Sequence, residues 1–161
     1  MASSGYILKK QEDVEFDKLI YDIKLAAVQA DLEVRIDLNV HENDYDGGVY
    51  TLGSVANTYE DIPGAQQWCM YIFSNNRDLH GFDHVAKNEH LIIVMLIERV
   101  PDCEQILLNF LLEYFKLNPK DYFLVEEYKW YYTYEDIKKL KQNDFDPYWC
   151  CKDPHADDTG G

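Results

Sequence analysis

Basic residues are scarce in this chain: 15 Lys and Arg stand against 30 Asp and Glu, for a formal charge of −15 at pH 7. Phosphate backbones and anionic lipid surfaces are bound chiefly through Lys and Arg. A charge of this sign therefore argues against nucleic acid and membrane partners and makes a basic protein the natural complement. Glycine is sparse as well. With eight Gly residues there is no G-x-G-x-x-G, no G-x-x-x-x-G-K and no G-x-S-x-G, so nucleotide-binding and α/β-hydrolase readings lose their usual support. The longest uninterrupted apolar run, Leu91 to Ile97, has seven residues, well short of the roughly 20 that a membrane-spanning helix needs. The start, MASSGYILKKQEDVEF, carries no apolar leader segment, and the expected location is the cytoplasm. Cys69, Cys103, Cys150 and Cys151 lack the density and spacing of a disulfide framework, and two of them are adjacent. Reduced thiols follow as the simpler expectation.

What is present is enough to build a core. The chain has 161 residues, 47% of them hydrophobic and 14% aromatic, too apolar for disorder despite the charge. One domain over residues 1–149 with a flexible polar tail over 150–161 is expected. The negative charge is uneven: residues 31–62 hold eight acids and one base, nearly half of the net excess in one fifth of the chain. Such a block is either a solvated face that maintains solubility or a docking surface.

The stretch around which the rest is organised runs from His90 to Pro119, HLIIVMLIERVPDCEQILLNFLLEYFKLNP. Leu91 to Ile97 is short, branched and bounded by charge, the mark of a strand buried on both faces. After Pro101, Asp102 with Gln105 forms a capping-box pattern. Ile106, Leu107, Phe110, Leu111, Tyr114 and Phe115 then recur at helical spacing until Asn118-Pro119. Upstream, Tyr6-Ile7-Leu8 is either a short strand or a docked arm. Asp13 caps a first helix carrying Phe16, Leu19, Ile20, Ile23 and Ala27 that ends near Ala30. Val34, Ile36, Leu38 and Val40 alternate with Glu33, Arg35, Asp37 and Asn39, which predicts a strand with the first set in the core and the second in water. Val49 to Val55 returns as a hairpin partner, Trp68 to Ser74 reads as another strand, and Asn75 to Asn88 connects to the core strand as loop or a short helix. A strand from Phe123 and a last helix, Tyr134 to Gln142, capped by Thr133 and Asp136, follow. The order predicts an α+β domain: a mixed, mainly antiparallel sheet of four to five strands with helices packed on one face.

Candidate chemistry is thin. His80, His84 and His90 have a spacing from which a metal site can be built, but Gly81 weakens the helix that would align the first two and no H-E-x-x-H occurs. Cys150, Cys151 and His155 form a second, looser cluster. Cys103 falls in the first turn of the central helix, where the helix dipole favours a thiolate, while Asp102 and Glu104 oppose it. The pairs Glu60-Asp61, Glu126-Glu127 and Asp157-Asp158 are common features of acidic surfaces, and the aromatic run Tyr128, Trp130, Tyr131, Tyr132 and Tyr134 is either core or an interface platform. No catalytic residue, bound metal or cofactor is expected.

The expected function is that of a small acidic binding protein that neutralises a basic protein partner, as an immunity protein or inhibitor does against a nuclease-type toxin. Its binding residues would be Glu33, Asp37, Glu42, Asp44, Asp46, Glu60 and Asp61, with Tyr45 as an aromatic anchor. The alternatives are a metal-dependent hydrolase using the His80, His84 and His90 loop, and a homo-oligomeric structural subunit that associates through the aromatic run.

Overall fold

The computed structural model describes residues 3–43, 48–74, 85 and 89–156. The elements run β1 (Gly5–Lys10), α1 (Phe16–Gln29), β2 (Glu33–Asn43), β3 (Gly48–Ala56), β4 (Gln67–Phe73), β5 (Leu91–Ile97), α2 (Glu104–Leu117), β6 (Tyr122–Val125) and α3 (Tyr134–Gln142). The α+β class is as expected, but the sheet has six strands rather than four to five, in the order β2-β3-β4-β5-β1-β6. Every neighbouring pair is antiparallel, so the sheet is not mixed. The segment holding Tyr6-Ile7-Leu8 supplies the extra strand, inserted between β5 and β6.

One face of the sheet carries the helices. Ile7, Trp68, Met70, Ile92, Val94 and Phe123 from the strands join a single buried cluster with residues of all three helices. The periodicity of α2 is explained by that burial: Ile106, Leu107, Phe110, Leu111, Tyr114 and Phe115 all face inward. Helix α2 packs against α1 on one side and α3 on the other. The second face has a separate cluster of Leu8, Phe73, Leu91, Ile93 and Leu124 around Val85, with Tyr6, Tyr50, Tyr71, Leu96, Tyr122 and Tyr131 packed at its margin. Among the described residues no helix contributes to that second cluster, and none is long and apolar enough to cross a membrane.

Helix starts differ from the sequence pattern. Helix α2 begins at Glu104 with Cys103 at its N-cap and no side-chain cap, because Val100–Asp102 forms a 3₁₀ turn where Asp102 was expected to cap. Helix α1 likewise starts after Glu15, and Asp13 lies in the 3₁₀ turn Gln11–Asp13. In both cases a tight turn places the expected capping residue ahead of the N-cap position. Helix α3 is capped as expected: the Asp136 N–H donates to Thr133 Oγ1 at 3.4 Å and the Thr133 N–H donates to Asp136 Oδ2 at 2.8 Å.

The strand expected from Phe123 is short, ending at Val125. The chain then turns, stacks Tyr128 on Trp130 at 4.4 Å, and returns so that Tyr132 bridges Phe123. Tyr132 is fully buried; its hydroxyl donates to the Lys152 carbonyl at 2.7 Å and accepts from Trp130 Nε1 at 3.1 Å. From Trp149 to His155 the chain stays in contact with the body. Trp149 and Cys150 are buried, Trp149 Nε1 donates to the Glu104 carbonyl at 2.9 Å, and His155 Nε2 sits 2.8 Å from Asp136 Oδ2.

Candidate functional site: the acidic edge and the aromatic face

Strand β2 is the outermost strand on its side of the sheet. It pairs with β3 over Glu33 to Ile36 and again from Val40 to Asn43, and between these stretches residues 37–39 stand opposite Leu52 alone. This is a bulge of three residues against one, and Asp37 holds it. One carboxylate oxygen accepts the Asn39 N–H at 2.8 Å and the other lies 3.1 Å from His41 Nε2. The backbone hydrogen bond first, and His41 second, hold the Asp37 carboxyl below its ordinary value. Two extra residues keep the side-chain period, so Val40 opposite Thr51 lies on the same face as Ile36 opposite Gly53, but the helix-side core takes in Val34 and Ile36 and goes no further along β2. Val34 and Ile36 pack on the core as expected, but Leu38 and Val40, expected beside them, are 82% and 58% exposed.

The predicted binding acids fall into separate groups. Glu33 is exposed at the start of β2. The loop after β3 folds back to it through Tyr59, whose hydroxyl donates to the Ser54 carbonyl at 2.8 Å and whose ring lies 3.7 Å beneath the Arg35 guanidinium. Exposed Glu60 and Asp61 follow directly in that loop. Glu42 is exposed toward the other end of the strand, at most roughly 30 Å from Glu33 at the rise of an extended chain. Glu33, Glu42, Glu60 and Asp61 form no salt bridge among the described residues. Asp37 differs, being engaged by its own bulge. Asp44, Tyr45 and Asp46 lie outside the described residues.

A second surface feature was not legible in the sequence. Across the face without helices, Leu52 stands opposite Tyr71, Tyr71 opposite Leu96, Leu96 opposite Tyr6, and Tyr6 opposite Leu124. Side chains directly opposite on neighbouring strands share a face, so these residues form one row over five strands. Rings extend it at both ends: His41 stacks on Tyr50 at 5.5 Å and Tyr50 meets Tyr71 at 5.2 Å, while Tyr122 meets Tyr131 at 5.6 Å and Tyr131 meets His155 at 4.8 Å. Burial, followed by the nearby carboxylates of Glu98 and Glu89 respectively, pushes the Tyr71 and Tyr122 hydroxyls upward. The usable signal was the spacing of Tyr6 and Leu8, Tyr71 and Phe73, and Tyr122 and Leu124, each two residues apart within a strand.

The candidates for reactive chemistry are dispersed. His80 and His84 lie outside the described residues and His90 is exposed beside β5. Among the described residues no group of three His, Cys, Asp or Glu side chains is placed to hold a metal ion. Glu126 and Glu127 are exposed in the turn after β6, and Asp157 and Asp158 lie outside the described residues. Cys103 is fully buried, with its thiol directed at the Arg99 and Val100 carbonyls at 3.6 Å. The Cys150 thiol is pushed up to about 12 by burial and by neighbouring Cys151. Cys69 and Cys151 are exposed. A thiol reagent at neutral pH should therefore modify Cys69 and Cys151 quickly, and Cys103 and Cys150 only as the chain unfolds. Peptide mapping that finds Cys103 labelled as fast as Cys69 in the native protein would contradict this placement. No protein family, curated protein or solved structure matches the chain.

Proposed function

We propose that the protein is a small acidic binding protein that docks and neutralises a basic protein partner at the β2 edge, the role an immunity protein or inhibitor plays against a nuclease-type toxin. One observation carries the reading: an outer strand exposes Leu38 and Val40 between carboxylates that, among the described residues, have no cation of their own at either end. Apolar side chains that leave water at the centre of a contact supply affinity, and unpaired charge around them steers the approach of an oppositely charged surface. The bulge at Asp37 adds to this by interrupting the backbone pairing that a second copy would need, so the edge offers side chains rather than a ladder.

The reading separates association from dissociation. Reversing Glu33, Glu60 and Asp61 to Lys should slow association at low salt by about tenfold or more. Folding stability should stay within about 1 kcal/mol, because exposed charges contribute little to it. Leu38→Ala should instead speed dissociation by about tenfold, the loss expected when a buried aliphatic contact is removed. Surface plasmon resonance on a partner isolated by affinity capture reads both rates. Unchanged association for the charge-reversed variant, with a partner that contacts the aromatic row instead, would sink the assignment of the β2 edge.

A further inference from the structure

At the carboxyl end of β1 a polar network links β1, α1 and α2 with the turn that joins α2 to β6. Lys9, buried, donates from Nζ to Asn118 Oδ1 at 2.9 Å and to Asp121 at 3.0 Å, and Asp121 Oδ2 also accepts the Tyr114 hydroxyl at 2.7 Å. Asn118 passes the network on by donating from Nδ2 to Asp22 Oδ2 at 3.2 Å, the same oxygen that Lys18 Nζ reaches at 2.5 Å. Asp22 is only 4% exposed, yet its other oxygen, Oδ1, accepts no hydrogen bond among the described residues. That oxygen is not sealed in the interior: Asp22 lines a cavity of about 340 Å³ between the start of α1 and the turn joining α2 to β6.

We propose that this cavity is a binding site for a small primary ammonium compound, seated on Asp22 Oδ1. With Oδ2 already held by Lys18 and Asn118, Oδ1 is left to water or a ligand, and a cationic N–H donor makes a stronger bond to a carboxylate than a neutral one does. The rest of the wall suits that group. Asp13 and Glu15 stand at the same cavity and add negative potential, while Leu19 and Pro119 provide apolar surface for a short alkyl chain. Lys18 and Lys120 also line the cavity, so an amino acid-like zwitterion has a partner for its carboxylate as well. A quaternary ammonium has the charge but no N–H to give Asp22, and butyrate has neither. The site is separate from the β2 edge and does not depend on the docking proposal.

Isothermal titration of the full chain at fixed ionic strength, with butylammonium, 4-aminobutyrate, butyltrimethylammonium and butyrate as probes, tests the site. Butylammonium should bind saturably and the quaternary analogue and butyrate should not. Tighter binding of 4-aminobutyrate than of butylammonium would identify a zwitterion as the ligand, and the reverse order a simple amine. Asp22→Asn should weaken the amine by at least about tenfold, the equivalent of losing one charged hydrogen bond. If that variant does not fold, Asp13→Asn with Glu15→Gln, both exposed, should weaken binding while leaving the buried network intact, and amide shifts on titrating the parent should cluster around Asp22 and Asn118. No saturable binding of either amine, equal binding of butyltrimethylammonium, or full affinity in the variants would overturn the proposal.

Discussion

Phe110→Ala should cost about 3 to 5 kcal/mol of folding stability. Phe110 is fully buried on α2, its ring meeting Trp68 of β4 edge-on at 5.3 Å and Tyr114 at 6.0 Å. It therefore sits where the helix layer meets the sheet. The neighbouring side chains are rigid rings, which close poorly over a void, so the cavity left by truncation persists and adds its own penalty to the lost burial. Urea unfolding should show the midpoint falling with the slope unchanged. A loss under about half a kcal/mol, the size typical of surface substitutions, would mean that α2 is not packed as described.

Lys9→Met should be as damaging, for a different reason, costing about 3 to 5 kcal/mol near neutral pH. Lys9 and Asp121 form an ion pair at 3.0 Å with side chains only 9% and 4% exposed. Removing the cation leaves a buried carboxylate with the Tyr114 hydroxyl as its remaining side-chain donor among the described residues. Burial already raises the Asp121 carboxyl above its ordinary 3.8, against the opposing pull of Lys9. A carboxyl whose pKa is raised by folding holds its proton more tightly in the folded state. Its contribution to stability is thus fully present below 3.8 and is lost as pH rises through the raised folded value. Without Lys9 that value climbs further and the loss grows. The penalty of Lys9→Met should accordingly shrink on acidification, and paired denaturation curves of parent and variant at neutral and acid pH measure it. A penalty independent of pH would place the effect in packing of the lysine stem rather than in the charge.

The elements that sequence alone revealed are those whose signal is local. Leu91–Ile97 and the apolar spacing of α2 follow from periodicity, and the start of α3 from the Thr133 and Asp136 pair, because each is decided by residues within a few positions. Strand β1 was ambiguous for the opposite reason. It buries Lys9, which a hydropathy pattern places in water, and the partner that makes this tolerable, Asp121, is 112 residues away. The irregularity in β2 is held by Asp37, which looks like any surface acid until its carboxylate is seen bonded to Asn39 and His41. Charge counting found the acidic block but could not foresee that Tyr59 draws Glu60 and Asp61 toward Glu33 while leaving Glu42 far along the strand. The aromatic row was hidden because periodicity fixes which residues of one strand share a face, not which strands lie side by side.

The central claim, that exposed carboxylates at the β2 edge select a basic protein, is tested most directly by affinity capture from native lysate at low and high salt. The bait should be the parent beside the variant with Glu33, Glu60 and Asp61 all changed to Lys. The account predicts that the parent retains a basic protein at low salt, releases it as salt screens the contact, and that the reversed variant retains little of it at either. The same protein held equally by both baits, with retention indifferent to salt, would contradict it.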